Sequence, residues 1–287
     1  MYLGREEFDE LETPSVLSNE IQECVDSIIR ETHDVDWNED SLTLGVIGGI
    51  RKILSDYTIP YMDNAPFSNK FDVEAYKITG KPEQSHGDIA VVVTRIFPNF
   101  KNPTSGVAFY EAKASSNTNY GNRFPSFNVQ QLRRLVTKTP RLTYLIYDRE
   151  NRQIGTSDWP SRIDTSDRML DYGQTKTLRS YTVDANLLKN IRDIDVAAGL
   201  YGKPFGEHFV KNVLSGRDLD YSASAEKIIK KWIKATKNSN PLIVSISVHE
   251  PGVDISAMQL TLPGFEKINL AKIDEQVKIN NKSDSNS

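Results

Sequence analysis

The triplet Glu111-Ala112-Lys113 places two opposite charges inside an apolar stretch, residues 107–114. Because side chains alternate along a β-strand, Glu111 and Lys113 would share one face of a strand and Ala112 would point the other way. Two opposite charges are costly to bury unless they pair with each other or bind a ligand. The triplet therefore indicates either a chemical site or an exposed strand face with a weak salt bridge.

A second acid, Asp88, begins the preceding apolar stretch, residues 88–93, directly after Gly87. Glycine can form the tight turn that leads into such a strand. If the two strands are neighbours, Asp88 comes within reach of Glu111. Two carboxylates and one ammonium group at the ends of buried strands predict a site for Mg²⁺ or Mn²⁺, because these ions prefer oxygen ligands and keep bound water. Such an ion would polarise a phosphoryl oxygen and help to ionise the water.

Hydrophobic periodicity predicts the elements that position these residues. Helical spacing of apolar residues predicts a helix that starts at Thr13-Pro14 and a second helix that starts near residue 40. Alternating or short apolar runs bounded by turn residues predict strands. The predicted strands are residues 71–79, 88–93, 107–114 and 142–147, with a helix at 127–137 and loops at 94–106, 115–125 and 149–175. Starting from the helix near residue 40, the order up to residue 150 is therefore helix, three strands, helix, strand.

The second half of the chain carries weaker patterns. They predict a strand at 178–183, helices at 185–198, 204–214 and 223–236, and a strand at 242–248. The polar residues 280–287 predict a disordered tail.

The net charge of −4 hides an uneven distribution. Residues 1–60 contain 14 acidic and 4 basic residues, whereas the remaining 227 residues contain 25 acidic and 31 basic ones. The 36 residues between Glu111 and Asp148 contain six bases and no acid. A basic stretch is usually a solvated face, but one without acids suits a polyanion such as nucleic acid.

Several classes of protein are excluded by composition. The single cysteine, Cys24, excludes a disulfide framework and a cysteine-rich zinc site, so a reducing compartment is expected. The apolar runs are too short to cross a membrane, and the acidic first ten residues lack the apolar core of a secretion signal. We therefore expect a cytoplasmic protein with no membrane partner.

The order of elements, with Gly87-Asp88 on the second strand and Glu111-Ala112-Lys113 on the third, resembles the PD-(D/E)xK nuclease superfamily, which includes many restriction endonucleases and phage-defence nucleases. The resemblance covers roughly residues 35–150, and Gly87 stands where the motif has proline. It implies an α/β fold with a restriction-endonuclease-like core around a central mixed sheet, followed by additional C-terminal helices and strands. The expected organisation is an acidic N-terminal helical segment (1–35), a nuclease core (36–150), a C-terminal extension packed on the core (151–272) and a flexible tail (273–287).

The resemblance also implies roles for individual residues. Asp88 and Glu111 become metal ligands, the backbone carbonyl of Ala112 becomes a further ligand, and Lys113 orients or activates the attacking water. Many members carry an acid on the first core helix, directed at the metal, where this chain has Glu39. An equally good interpretation is that Glu39 only favours the start of that helix.

The helix after the lysine strand carries further candidates. Many members have a glutamine there, which in this chain is Gln130 or Gln131, although each is also explained as an ordinary solvent-facing residue. Arg133, Arg134 and Lys138 on the same helix are candidates for phosphate contacts.

The polar loop before that helix adds Tyr120 and Arg123 as candidates to contact a sugar, base or phosphate. A structural role for these two residues is an equally good interpretation.

The predicted function is a magnesium-dependent deoxyribonuclease, an endonuclease that hydrolyses phosphodiester bonds in restriction or phage defence. DNA is favoured over RNA as the substrate, and a homodimer or a helicase or sensor subunit is the expected assembly. Two alternatives stay open. One is a catalytically silent nucleic-acid-binding or assembly subunit on the same fold, and the other is an interaction protein whose acidic N-terminal segment binds a basic partner.

Overall fold

A mixed α/β fold, with helices on both faces of one sheet, is formed by the residues that the computed structural model describes. These residues are 12–57, 70–77, 87–96, 103–116, 123–139, 141–154, 176–234, 242–249 and 266–267. The predicted α/β class is thereby confirmed.

The helices are α1 (Glu12–Glu31), α2 (Glu39–Asp56), α3 (Val129–Lys138), α4 (Ala185–Ile191), α5 (Ile194–Tyr201), α6 (Phe205–His208) and α7 (Ala223–Lys234). A short 3-10 helix, Asp34–Asp36, precedes α2, and a π-helix, Phe209–Leu214, continues α6. The strands are β1 (Lys70–Lys77), β2 (Ile89–Ile96), β3 (Thr104–Ala114), β4 (Leu142–Ile154), β5 (Lys176–Asp184), β6 (Lys203–Pro204), β7 (Leu242–His249) and β8 (Glu266–Lys267).

The described strands form one eight-stranded sheet in the order β6-β5-β4-β3-β2-β7-β1-β8. β2 and β3 are antiparallel neighbours, as the proposed meeting of Asp88 and Glu111 requires. β4 runs parallel to β3, and α3 makes the connection between them. β7 runs parallel to β2 and lies between β2 and β1. A strand from the region 151–272 is therefore a central member of the sheet, and it lies between strands of the region 36–150.

Three strand boundaries differ from the predictions by three residues or more. β2 extends to Ile96, β3 begins at Thr104, and β4 extends to Ile154, so the described parts of the loops predicted at 94–106 and 149–175 include strand. Turn-forming residue types led to the shorter predictions, but pairing with a neighbouring strand overrides local propensity. The hydroxyls of Thr94 and Ser105, for example, lie 2.9 Å apart across the β2–β3 ladder.

One helix prediction also differs from the structure. The helix predicted at 185–198 is broken into α4 and α5 by Arg192, which has a left-handed φ of 62°. The tail predicted at 273–287 lies outside the described residues.

The core has two layers because successive residues of a central strand face opposite sides of the sheet. One layer packs α1, α2 and α6 against a set of strand residues that includes Tyr110 and Ala112. The other packs α3, α4, α5 and α7 against a set that includes Phe109 and Tyr144. Glu111 and Lys113 have the parity of Phe109, so they project from β3 on the side of α3.

No helix in the described part of the chain is both long enough and apolar enough to cross a membrane.

His208 joins α6 to the central sheet. It is buried, its ring stands edge-on to that of Tyr110 at a centroid distance of 5.9 Å, and its Nδ1 lies 3.3 Å from the side-chain nitrogen of Asn212. Asp218 Oδ2 is 3.8 Å from the Nδ1 atom of His208. Burial lowers the pKa of His208 to about 4, although Asp218 acts in the opposite direction.

This buried histidine predicts a loss of stability in mild acid. The imidazole is neutral in the folded protein down to about pH 4, whereas in the unfolded chain it takes up a proton below its ordinary pKa of 6.5. The stability that His208 contributes is therefore complete above pH 6.5 and lost as the pH falls toward 4. Between about pH 7 and about pH 5 we expect wild type to lose about 2 kcal/mol more unfolding free energy than His208→Gln. Urea unfolding of both proteins at the two pH values measures this difference, and equal losses would contradict the prediction.

Candidate active site

The turn into β2 fixes Asp88 against β3. The N–H of Asp88 donates to the Tyr110 carbonyl at 2.8 Å, and the N–H of Ala112 donates to Asp88 Oδ2 at 3.0 Å. Gly87 makes this approach possible, because it has a φ of 98° and a Cβ at this position would lie 2.7 Å from the Tyr110 carbonyl oxygen. The local backbone therefore requires glycine at this position, in agreement with the predicted tight turn.

Glu111 and Lys113 form a buried ion pair, with side chains 0% and 4% exposed. Lys113 Nζ donates to Glu111 Oε1 at 2.8 Å and to the carbonyl of Ala112 at 2.8 Å. The ammonium group thus contacts two of the three groups that were predicted to hold a metal ion. The exposed strand face with a weak salt bridge, the simpler interpretation of the triplet, does not occur.

Glu39 reaches the same ammonium group from the other helical layer. It is the first residue of α2, whose N-cap is Asn38, and its Oε2 lies 3.5 Å from Lys113 Nζ. Its Oε1 accepts a hydrogen bond of 2.6 Å from Ser126. The two interpretations of Glu39 are therefore compatible, because it stands in the first turn of α2 and also faces the site.

Trp37 holds the start of α2 near the end of β3. Its indole N–H donates to the Ser115 carbonyl at 2.7 Å, two residues after Lys113. The guanidinium of Arg149 lies over the indole ring, 4.1 Å from its centroid, and the N–H of Arg149 donates to the Ser115 hydroxyl at 3.0 Å. A lone tryptophan before a predicted helix carries no signal of this role, because the contact joins residues far apart in the sequence.

Of the two candidate glutamines, Gln131 reaches the site and Gln130 does not. Gln131 Nε2 donates to Glu111 Oε1 at 3.0 Å, whereas Gln130 is exposed. Asn128 caps α3, so the helix begins at Val129 and its rotation of about 100° per residue turns Gln130 away from β3. Gln130 is therefore corrected to Gln131 as the glutamine of this cluster.

The charges in the cluster perturb one another. Burial raises the pKa of the Asp88 carboxyl well above its usual range, and the neighbouring charge of Glu111 raises it further. Burial opposes the charge on Lys113, but attraction to Glu111, Asp88 and Glu39 outweighs it and raises the pKa of the ammonium group. Lys113 is therefore a cation and a hydrogen-bond donor, with three carboxyl groups around it.

Tyr144 is a residue of this region that the sequence patterns did not reveal. Its Cα is the register partner of Glu111 in the parallel β3–β4 pair, and its ring stands edge-on to Phe127 at 6.1 Å. The periodicity of residues 142–147 indicates a strand, but it contains no information on which residue of β3 lies opposite each tyrosine.

The proposed nucleic-acid contacts have different environments. Arg133, Arg134 and Lys138 are exposed on α3. Arg123 instead pairs with the buried carboxylate of Asp148 at 2.5 Å, so its charge is engaged within the protein. Tyr120 lies outside the described residues.

Comparisons of this chain with models of protein families, with curated proteins and with solved structures gave no match. Its chemistry therefore has to be inferred from its own residues. Within the described ranges, no three or more His, Cys, Asp or Glu side chains come together as a ready-made metal cage. Asp88 Oδ2 accepts from the N–H of Ala112, and Glu111 Oε1 and the carbonyl of Ala112 both accept from Lys113, so these three oxygen donors belong to one hydrogen-bonded cluster.

The turn at Gly87 predicts a pair of opposite glycine effects. Gly87→Ala should lower the unfolding free energy by more than about 1 kcal/mol, because alanine at positive φ is strained and its Cβ meets the Tyr110 carbonyl. Gly199→Ala is the matched control, since a Cβ there meets nothing within 4 Å and the residue is inside α5. We expect that control to be neutral or to gain about 0.5–1 kcal/mol. Chemical denaturation measures both, and equal effects would contradict the role of Gly87.

Proposed function

We propose that this protein is a metal-dependent endonuclease that hydrolyses phosphodiester bonds of DNA in the cytoplasm, with a restriction-endonuclease-like core. The observation that carries the proposal is the meeting of Asp88, Glu111, Lys113, Glu39 and Gln131 at the end of β3. The order of α2, three strands, α3 and β4 around that cluster adds support.

The buried charges argue for chemistry rather than stability. A buried ion pair is often no more stabilising than well-packed apolar side chains of the same size, because both charges must be removed from water. Glu111 and Lys113 are nevertheless buried in β3, where the other buried residues are apolar. Perturbed ionisable groups of this kind cluster at functional sites.

The donor set of the site fits a divalent cation. Mg²⁺ and Mn²⁺ prefer oxygen ligands, which Asp88, Glu111 and the Ala112 carbonyl supply. Glu111 Oε2 is buried and has no hydrogen-bond partner among the described residues, so it has capacity for a ligand. A bound ion would supply charge to a phosphoryl oxygen and acidify water.

The residues of the chain have separate tasks in this proposal. Lys113, held as a cation, donates hydrogen bonds and orients water or a developing negative charge. Gln131 fixes the orientation of the Glu111 carboxylate through its hydrogen bond to Oε1. Glu39 holds a second carboxylate beside Lys113 and is itself oriented by Ser126.

Two substitutions test the site directly, and a third serves as their control. Glu111→Gln and Lys113→Met should each reduce plasmid cleavage in Mg²⁺ or Mn²⁺ by at least about a hundredfold, because each removes a group that stabilises charge in the transition state. Lys230→Met, at an exposed lysine of α7, is the matched control and should cut like wild type.

Metal binding separates the two site variants. Glu111→Gln should weaken the binding of Mn²⁺, since it removes a ligand charge. Lys113→Met should bind Mn²⁺ at least as tightly as wild type, because the ammonium group that contacts Glu111 Oε1 and the Ala112 carbonyl no longer competes for these oxygens. Titration calorimetry measures both affinities. Cleavage by both variants at the wild-type rate would refute the assignment.

The exposed basic residues of α3 predict an electrostatic contribution to DNA binding. Arg134→Gln and Lys138→Gln should each weaken binding to DNA of any sequence and reduce the slope of log affinity against log salt by about 1, because each removes one phosphate contact. Lys52→Gln is the control, since Lys52 is exposed on α2 in the opposite helical layer. Fluorescence anisotropy over a range of salt concentrations measures the slopes. Equal slopes for all three variants would contradict a contact between α3 and DNA.

Restriction or phage defence, with a homodimer or a helicase or sensor subunit, is the setting that the resemblance implies. Salt-dependent DNA binding without cleavage in any divalent ion would instead favour the second candidate, a catalytically silent binding or assembly subunit.

A further inference from the structure

Tyr144 and Glu111 present two buried oxygen atoms that lack protein partners. The two residues lie opposite each other in the parallel β3–β4 register, and both are fully buried. Within the described part of the chain, neither the Tyr144 hydroxyl nor Glu111 Oε2 has a hydrogen-bond partner. A buried polar atom that forms no hydrogen bond costs about 1–3 kcal/mol, so an arrangement with two such atoms on facing residues requires an explanation.

Two other buried tyrosines next to these strands, Tyr147 and Tyr181, have hydroxyls with protein partners. The hydroxyl of Tyr147 lies 3.0 Å from that of Thr43, and the hydroxyl of Tyr181 donates to Asp148 at 3.4 Å. Phenylalanine at position 144 would keep the edge-on contact with Phe127 and would bury no polar atom. Packing alone therefore does not account for a tyrosine at this position.

The charges around Tyr144 determine what its hydroxyl can bind. Burial raises the pKa of the phenol, and the carboxylates of Glu111, Asp88 and Glu39 raise it further, so the hydroxyl keeps its proton. It is a hydrogen-bond donor near a carboxylate oxygen that only accepts. The same negative charges disfavour an anion between these groups, whereas a water molecule can accept from one and donate to the other.

We propose that Tyr144 is a positioning residue, whose hydroxyl and Glu111 Oε2 together bind one buried water molecule between β3 and β4. The effect of this water on cleavage rests on the proposed function, because it would hold the Glu111 carboxylate and the water of the site in a fixed orientation. The water site itself follows from the two buried oxygens and does not depend on nuclease activity.

Tyr144→Phe tests the proposal, with Tyr110→Phe as the matched control. Tyr110 also has a buried hydroxyl without a partner among the described residues, but its side chain lies in the opposite layer and the carboxylate that acts on its phenol is that of Asp218. Both variants should unfold within about 1 kcal/mol of wild type, since each removes a single hydroxyl. Tyr144→Phe should lower kcat for DNA cleavage by about tenfold or more with KM unchanged, because it loosens an oriented group without removing substrate contacts. Tyr110→Phe should leave both constants unchanged.

A crystal structure of the metal-free protein provides a readout besides activity. Wild type should contain a water within hydrogen-bond distance of Tyr144 Oη and Glu111 Oε2, and Tyr144→Phe should lack it. If wild type fails to cut DNA in Mg²⁺ and in Mn²⁺, the proposed function fails, but the crystallographic comparison still decides the water site. Absence of that water from wild type, or wild-type kcat in an active Tyr144→Phe enzyme, would overturn the proposal for Tyr144.

Discussion

The ion pair between Glu111 and Lys113 is the constraint on which the rest of the site depends. The two charges lie on one face of a strand with covered faces on both sides, and both are buried away from bulk solvent. A buried charge without a partner is far more costly than the pair, so the surrounding elements must supply hydrogen bonds. Support comes from three directions: hydrogen bonds with the Ala112 carbonyl of the strand itself and with Gln131 of α3, and the carboxylate of Glu39 in α2, which lies 3.5 Å from Lys113 Nζ.

The three directions belong to both helical layers. α2 packs on one face of the sheet and α3 on the other, and the N-terminal end of each helix reaches the last residues of β3. Asn38 and Asn128 cap the two helices immediately before the residues that contact the site. The caps determine where each helix begins, and a shift of one residue on either helix would turn a different side chain toward the Glu111–Lys113 pair. The cluster therefore depends on both layers being folded at once.

The sequence predicted the part of the site that the strands contribute, but little of the part that the helices contribute. Glu111 and Lys113 share a face because the period of a strand is two residues, and the turn at Gly87 follows from local conformational freedom. These inferences need only neighbours in the chain. Gln131 could not be chosen over Gln130 because the choice depends on where the cap places the first turn. Periodicity does not show which distant parts of the chain become neighbours. It therefore could not predict the position of β7 between β1 and β2, the contact of Trp37 with Ser115, or the register of Tyr144 against Glu111.

The balance of charge in the cluster suggests two roles for Lys113, one before and one after a metal ion binds. Three carboxyl groups surround one ammonium group, and the ammonium already contacts Glu111 Oε1 and the Ala112 carbonyl. Lysine is a compact point charge on a flexible stem, so it neutralises these oxygens as a small cation would. In the proposed enzyme Asp88, Glu111 and the Ala112 carbonyl would hold the divalent ion, and Lys113 would then release its contacts with Glu111 Oε1 and the Ala112 carbonyl. The released ammonium would still be tethered two residues from Glu111, where its donors are free for water or a phosphate oxygen. A single lysine would thus stabilise the fold before the metal binds and serve the reaction afterwards.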